Sequence, residues 1–291
     1  ASVAAVFMIV LFSVLFTREN RPPESSVVND VPVAGKTQAV LSLPDGRQVA
    51  LGNEKEQDTA WMKYVEACTI ESKATTEPAD IKIEVARGGE YKIRLEDGTT
   101  VWLNSESSLI YPEKFTGDKR AVRLSGEGYF EVARDEKKPF IVSVTDMEIK
   151  VLGTKFNVTA YQDEKMTTTT LISGAVEVVT PHRSVQLQPG KQAMVQEGGD
   201  DITVLEVDVE LATSWTAGIF KFDKMALTDI CTRLSRWYDI DFVFEGETGK
   251  EKFTGGTWKY VPLKDFLSKI ERVTNVLFLF ENNTVKVVPK K

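Results

Sequence analysis

From about Lys36 to Val195 apolar and polar residues alternate, and turn residues interrupt the alternation every eight to fifteen positions. In "YKIRL", Tyr91, Ile93 and Leu95 share one face while Lys92 and Arg94 share the other, as in a half-buried strand. The same period recurs in "AVRL", "YFEVA", "FIVSV", "EIKVL", "KFNVTAY", "AVEVV" and "SVQL", with Gly117, Gly126, Pro139, Gly153, Gly174 and Pro189-Gly190 as punctuation. Short strands at this spacing predict a mainly β fold, an antiparallel sandwich or a wrapped sheet. Two segments, Leu43–Leu51 and Leu95–Leu103, share the pattern Leu-x-Asp-Gly-x-x-Val-x-Leu. Asp45-Gly46 and Asp97-Gly98 then read as two-residue type I′ hairpin turns, with structural rather than catalytic aspartates. On that reading Asp97→Asn is nearly silent.

Past Gly218 the period changes. Leu227, Ile230, Cys231, Leu234 and Tyr238 line one helical face, with Asp223 as N-cap and Asp229, Arg233 and Arg236 turned outward. A second helix begins at Pro262 and buries Leu263, Phe266, Leu267 and Ile270. With the flanking strands the order is βαββαββ, a small α+β domain over 218–291. Between the two hairpin copies, Trp61, Met62, Val65 and Cys68 or Thr69 suggest a short amphipathic helix before Pro78 returns the chain to strands.

The first seventeen residues, "ASVAAVFMIVLFSVLFT", carry no charge and end at Arg18. They are close to the shortest run that spans a bilayer core about 30 Å thick, and read as part of a transmembrane helix. "RENRPPESSVVNDVPVAG" follows as an extended spacer. The expected division is therefore 1–17 helix, 18–35 linker, 36–86 hairpin and connecting segment, 87–217 all-β domain and 218–291 small domain.

Charge narrows the function. The 36 basic and 43 acidic residues give −7 overall, and no basic run exceeds two residues, which excludes a nucleic-acid surface. Residues 219–291 hold 13 basic and 10 acidic side chains, so this part is +3 while the rest carries −10. Cys68 and Cys231 lie too far apart for a local metal knuckle or redox motif and are expected unpaired, with Cys231 a small core side chain. His182 falls in a polar turn. Glu127 and Glu131, at i and i+4 on a strand, stand about 13 Å apart, beyond the reach of a glycosidase pair. Trp102, Trp215, Trp237 and Trp258 each adjoin apolar residues that can bury them, although a sugar-binding face remains an alternative, as does, more remotely, a glycoside hydrolase. No nucleophile elbow, phosphate loop or dinucleotide fingerprint is present, and neither cofactor nor metal is expected.

"GGEYKIRLEDGTTVWLNSESSLIYPEKF", "RLSGEGYFEVARDEKKPFIV", "VLGTKFNVTAY", "TTLISGAVEVV" and "LQPGKQAMV" resemble the periplasmic domain of FecR-family membrane-bound anti-sigma factors. "GIFKFDKMALTDICTRLSRWYDIDFVFE" through "VKVV" resembles the small carboxy-terminal domain of the same regulators, and its element order is like that of the secretin and TonB short amino-terminal domain. The resemblance covers about residues 85–291. It implies a non-enzymatic protein of the inner membrane that reads the signalling domain of a TonB-dependent outer-membrane receptor. It also implies an extracytoplasmic-function sigma factor bound through a cytoplasmic segment not contained in these 291 residues. The receptor domain is expected on the small domain, by strand addition to an edge formed by Thr284, Val285, Lys286, Val287 and Val288, with Lys286 and Lys290-Lys291 guarding that edge of a five-stranded sheet.

Overall fold

A computed structural model describes residues 33–52, 80–145 and 147–290. The expected membrane helix, the short helix at 61–69 and Cys68 lie outside the described residues. Among the described residues, no helix is long and apolar enough to cross a membrane.

Among the described residues, sixteen strands build the larger part. They are β1 (Lys36–Thr37), β2 (Ala39–Ser42), β3 (Gln48–Leu51), β4 (Asp80–Val85), β5 (Gly89–Arg94), β6 (Thr100–Leu103), β7 (Ser107–Pro112) and β8 (Arg120–Glu131). Then come β9 (Phe140–Val144), β10 (Met147–Val151), β11 (Lys155–Ala160), β12 (Met166–Ser173), β13 (Val176–Val179), β14 (Ser184–Leu187), β15 (Lys191–Gln196) and β16 (Ile202–Glu206). One layer runs β3-β2-β4-β7-β8-β9-β10-β13-β14. The other runs β1-β5-β6-β8-β11-β12-β15-β16. Among the described strands of this larger part, only β8–β9 and β1–β5 are parallel pairs.

Strand β8 belongs to both layers. Its first half pairs with β7 and β9, and its second with β6 and β11. Gly126, which the sequence pattern marks as a break between two strands, is instead a bend within one strand of 12 residues. Alternation survives the bend, so Val122, Leu124 and Phe130 all point inward. Phe130 stacks on Phe156 at 5.0 Å and meets Phe140 of the opposite layer at 6.4 Å, which ties the two faces into one core. Gly126 has φ +91°, and a Cβ there would lie 2.3 Å from the Ser107 hydroxyl.

After β16, α1 (Val209–Thr213) and a 3-10 turn (Ser214–Ala217) lead to Gly218 and the second part. This comprises β17 (Ile219–Ala226), α2 (Leu227–Tyr238), β18 (Asp241–Phe244), β19 (Lys252–Trp258), α3 (Leu263–Val273), β20 (Val276–Glu281) and β21 (Thr284–Pro289). The expected βαββαββ order is present. The strands form two sheets, β17-β19 and β18-β21-β20, rather than one of five. A separate core gathers Phe222, Ile230, Cys231, Leu234, Trp237, Phe266 and Val285. Asp223 does not cap α2: it lies in β17 and accepts a hydrogen bond from the Thr254 hydroxyl. The N–H groups of Leu227 and Thr228 donate instead to the carbonyls of Glu251 and Gly249. Pro262 stands one place before its expected position, at the cap of α3. Cys231 is free and buried, which raises its thiol pKa strongly.

Gly126→Ala adds both a clash and a left-handed alanine, and should lower stability by about 2–4 kcal/mol in denaturant unfolding. Gly46→Ala meets open space at φ +84° and should cost only about 1–2 kcal/mol. Equal losses would mean that the bend does not depend on Gly126.

Candidate functional site

The two Asp-Gly turns differ from the expected type. Gly46 and Gly98 have φ near +84° and +85°, but neither aspartate has positive φ. Gly46 donates to the Leu43 carbonyl and Leu43 to that of Arg47; Gly98 and Leu95 repeat this with Leu95 and Thr99. Each loop is therefore a three-residue turn closed by a left-handed glycine. Asp45 is exposed and binds the backbone N–H and the guanidinium of Arg47. Asp97 does more. Besides accepting from the N–H and hydroxyl of Thr99, it receives Nη1 of Arg120 at 2.7 Å. Arg120 is buried in β8, and its other donations go to the carbonyls of Lys138 and Ala133. Asp97→Asn is therefore not expected to be silent, because Asp97 supplies the countercharge of a buried guanidinium.

The proposed docking strand is also corrected. Thr284, Val285, Lys286, Val287 and Val288 form β21, which is the central strand of its sheet, parallel to β18 and antiparallel to β20. Its main chain is paired on both sides, so no strand can add there, and Lys286 pairs with Glu281. Val285 and Val287 face the core. The reason lies in the connection: β18 runs through β19 and α3 before the chain returns as the β20-β21 hairpin, and the second strand of that hairpin inserts beside β18. The open edges of this sheet are β18 and β20. Its outer face exposes Val243, Leu277 and Leu279.

Where the two cores meet, charged side chains converge. Arg236 of α2, expected outward, is only 4% exposed. Its guanidinium bonds Glu106, Asp163 and Glu164 of the larger part at 3.2, 2.6 and 2.6 Å and lies 3.6 Å from the Tyr161 ring centre. Arg87, next to β5, reaches back to Asp241 and to the carbonyls of Ser235 and Ile240. Lys259, fully buried, pairs with Glu90 at 2.7 Å and sits 3.8 Å from the Trp237 ring. Burial lowers the pKa of Lys259, and Glu90 opposes that shift. The Tyr260 hydroxyl binds the other oxygen of Glu90; burial first and this bond second push its pKa up to about 12. Gly88 donates to the Arg236 carbonyl at 2.7 Å.

The carboxylates considered for catalysis are held by neighbours. Glu127 accepts from Asn104, Asn157 and Thr159, and Asn157 in turn accepts from the Trp215 indole. Glu131 pairs with Lys155. A cavity of about 60 Å³ beside Glu127, Tyr161 and Arg236 has room for a few waters. Trp215 and Trp237 are buried, Trp102 packs edge-on against Tyr129, and Trp258 is 62% exposed. His182 is exposed, 3.6 Å from Asp200. Among the described residues, no group of acidic, His or Cys side chains is placed to hold a metal ion.

Residues 81–177 match the family model described as FecR protein, and residues 219–287 match FecR, C-terminal. Two crystal structures of a proposed anti-sigma factor from Parabacteroides distasonis, at 1.65 and 2.50 Å resolution, superpose with TM-scores of 0.67 at 30% identity. They cover 72% and 73% of this chain and 99% and 100% of theirs. The chain belongs to the FecR family. No curated protein matches it. In this FecR-family protein the second matched region begins at Ile219, directly after left-handed Gly218, and takes in α2 with Arg236.

Asp97→Asn leaves Arg120 short of its charge partner and should destabilise the chain by about 2–4 kcal/mol. Asp45→Asn, at an exposed turn, should change stability by no more than about 0.5 kcal/mol. Denaturant midpoints of the two variants decide the matter, and matching values would reduce Asp97 to a turn residue.

Proposed function

We propose that this protein is an anti-sigma regulator of the inner membrane, with its folded part in the periplasm, that reads the signalling domain of a TonB-dependent outer-membrane receptor and passes the signal to an extracytoplasmic-function sigma factor. Family membership supports the regulatory class, and the P. distasonis relative carries the same assignment. The observation that carries the sensing role is the outer face of the β18-β21-β20 sheet. Val243, Leu277 and Leu279 are 48%, 37% and 47% exposed there, between two strand edges that no other described strand covers. A face that sets these three apolar side chains around Lys286 of β21, with open edges on both sides, suits a folded protein partner that adds a strand and covers the face, and the surplus of three positive charges on this part favours an acidic one. The docking strand becomes β18 or β20 in place of β21. On β20 the Phe278 N–H is already taken by the Glu271 carboxylate, which leaves β18 the more open edge.

The test is calorimetric titration of the isolated signalling domain of a TonB-dependent receptor from the same organism into the whole chain and into Val243→Glu and Leu279→Glu. Both substitutions sit on exposed positions and should leave folding intact while weakening Kd at least about tenfold, roughly 1.4 kcal/mol. Lack of binding by the unaltered chain would remove the receptor from the reading. Normal binding by both variants would move the docking surface elsewhere.

A further inference from the structure

The strand that leads into the folded body, β1, is held by both parts at once. Lys36 and Gln38 donate backbone hydrogen bonds to the carbonyls of Gly88 and Glu90, each at 3.0 Å, and the Gln38 side chain also reaches Gly88. Just before it, Gly35 lies so close to Trp237 of α2 that a Cβ would fall 2.6 Å from the indole ring, and Ala34 packs on the second core. The two residues that receive β1 are themselves fastened to the second part: Gly88 through its N–H to the Arg236 carbonyl, and Glu90 through Lys259 and Tyr260. Trp237 is fixed in turn by its indole N–H, which donates to the Lys259 carbonyl at 2.7 Å. Strap, β5 and α2 thus share one joint.

From this geometry we infer that residues 34–38 form a strap whose hold on the body depends on docking of the second part, so that opening the Arg236–Lys259 joint frees the segment leading to the amino-terminal apolar run. A two-residue strand at a sheet edge has little stability of its own. Withdrawing α2 takes away the Trp237 floor beneath Gly35 and loosens Gly88 and Glu90 together. Linkage makes the effect reciprocal: forcing the strap off Trp237 weakens the joint. As a step in signalling, the strap rests on the regulatory reading above; as a coupling within the chain, it does not.

Amide hydrogen exchange on the whole chain, with no partner added, separates the two. Arg236→Ala and the milder Arg87→Gln remove side chains that hold the joint without bonding to residues 34–38. Each should speed exchange at Lys36, Gln38 and Gly88 by about tenfold or more, with Val122 and Phe130 in β8 unchanged as the check on folding. Gly35→Leu should speed exchange at the same three amides, Gly88 included, from the opposite side. Continued protection of Lys36 and Gln38 after Gly88 has lost its own would overturn the inference, because the strap would then belong to β5 alone. Unchanged exchange at all three amides in both arginine variants would overturn it too, since the charged contacts would not be what closes the joint. Because no receptor domain is present, a failure here leaves the binding titration intact, and a failure of that titration leaves this result intact.

Discussion

Everything in the larger part depends on one strand lying in two sheets. Because β8 pairs with β7 and β9 before Gly126 and with β6 and β11 after it, the layers cannot slide or separate without breaking the hydrogen bonds that one continuous strand makes to both. The bend needs a residue that accepts φ +91° and brings no Cβ toward Ser107. Period-two alternation through the bend keeps Val122, Leu124 and Phe130 on the same side, so a change of partners costs no apolar burial. Arg120 at the start of β8 is fixed by the Asp97 turn, which links the hairpin between β5 and β6 to the strand that both sheets share.

The apolar side chains of the two parts gather in two separate clusters. They meet through cations, each supported differently. Arg236 spreads its donors over three carboxylates and lies against a tyrosine ring, the planar fork used for bidentate and stacked recognition. Lys259 is a point charge in a dry place, neutralised by Glu90 and flanked by Trp237 and Trp215. Arg87 closes the third side on the turn that ends α2.

Periodicity made the strands, the βαββαββ order and most core residues legible, because burial on one face writes itself into the sequence as alternation or a helical stripe. Its failures share a cause. Arg236 looks like any solvated helix residue, and only the neighbouring carboxylates Glu106, Asp163 and Glu164, distant in sequence, make its burial tolerable. Asp97 and Asp45 sit in identical local patterns, yet Arg120 lies behind just one of them. A repeated turn motif thus reports the loop and stays silent about the long-range partner. The Asp-Gly pairs suggest two-residue loops because Pro44 and Glu96, the residues that lengthen the turn, carry no signal as plain as glycine's. The place of β21 in the middle of its sheet was hidden for a further reason. Strand order depends on where a crossover returns, whereas lysines near a carboxy terminus suit an edge and a solvated central strand equally well.

The character of the joint bears on what it can do. An interface filled with apolar side chains would fuse the two cores, since opening it would expose surface that water cannot satisfy. Here the outer contacts are ion pairs whose acidic members, Asp163 at 65% and Glu106 at 51% side-chain exposure, are already half solvated. Their shared cation Arg236 is only 5% exposed on its side chain, so these are not the cheap pairs of an open surface. At the dry centre Trp237 covers Gly35 and Lys259 meets Glu90. Resistance to separation is therefore shared between the ion pairs of Arg236 and the residues that grip the strap, and disturbing either one reaches the other.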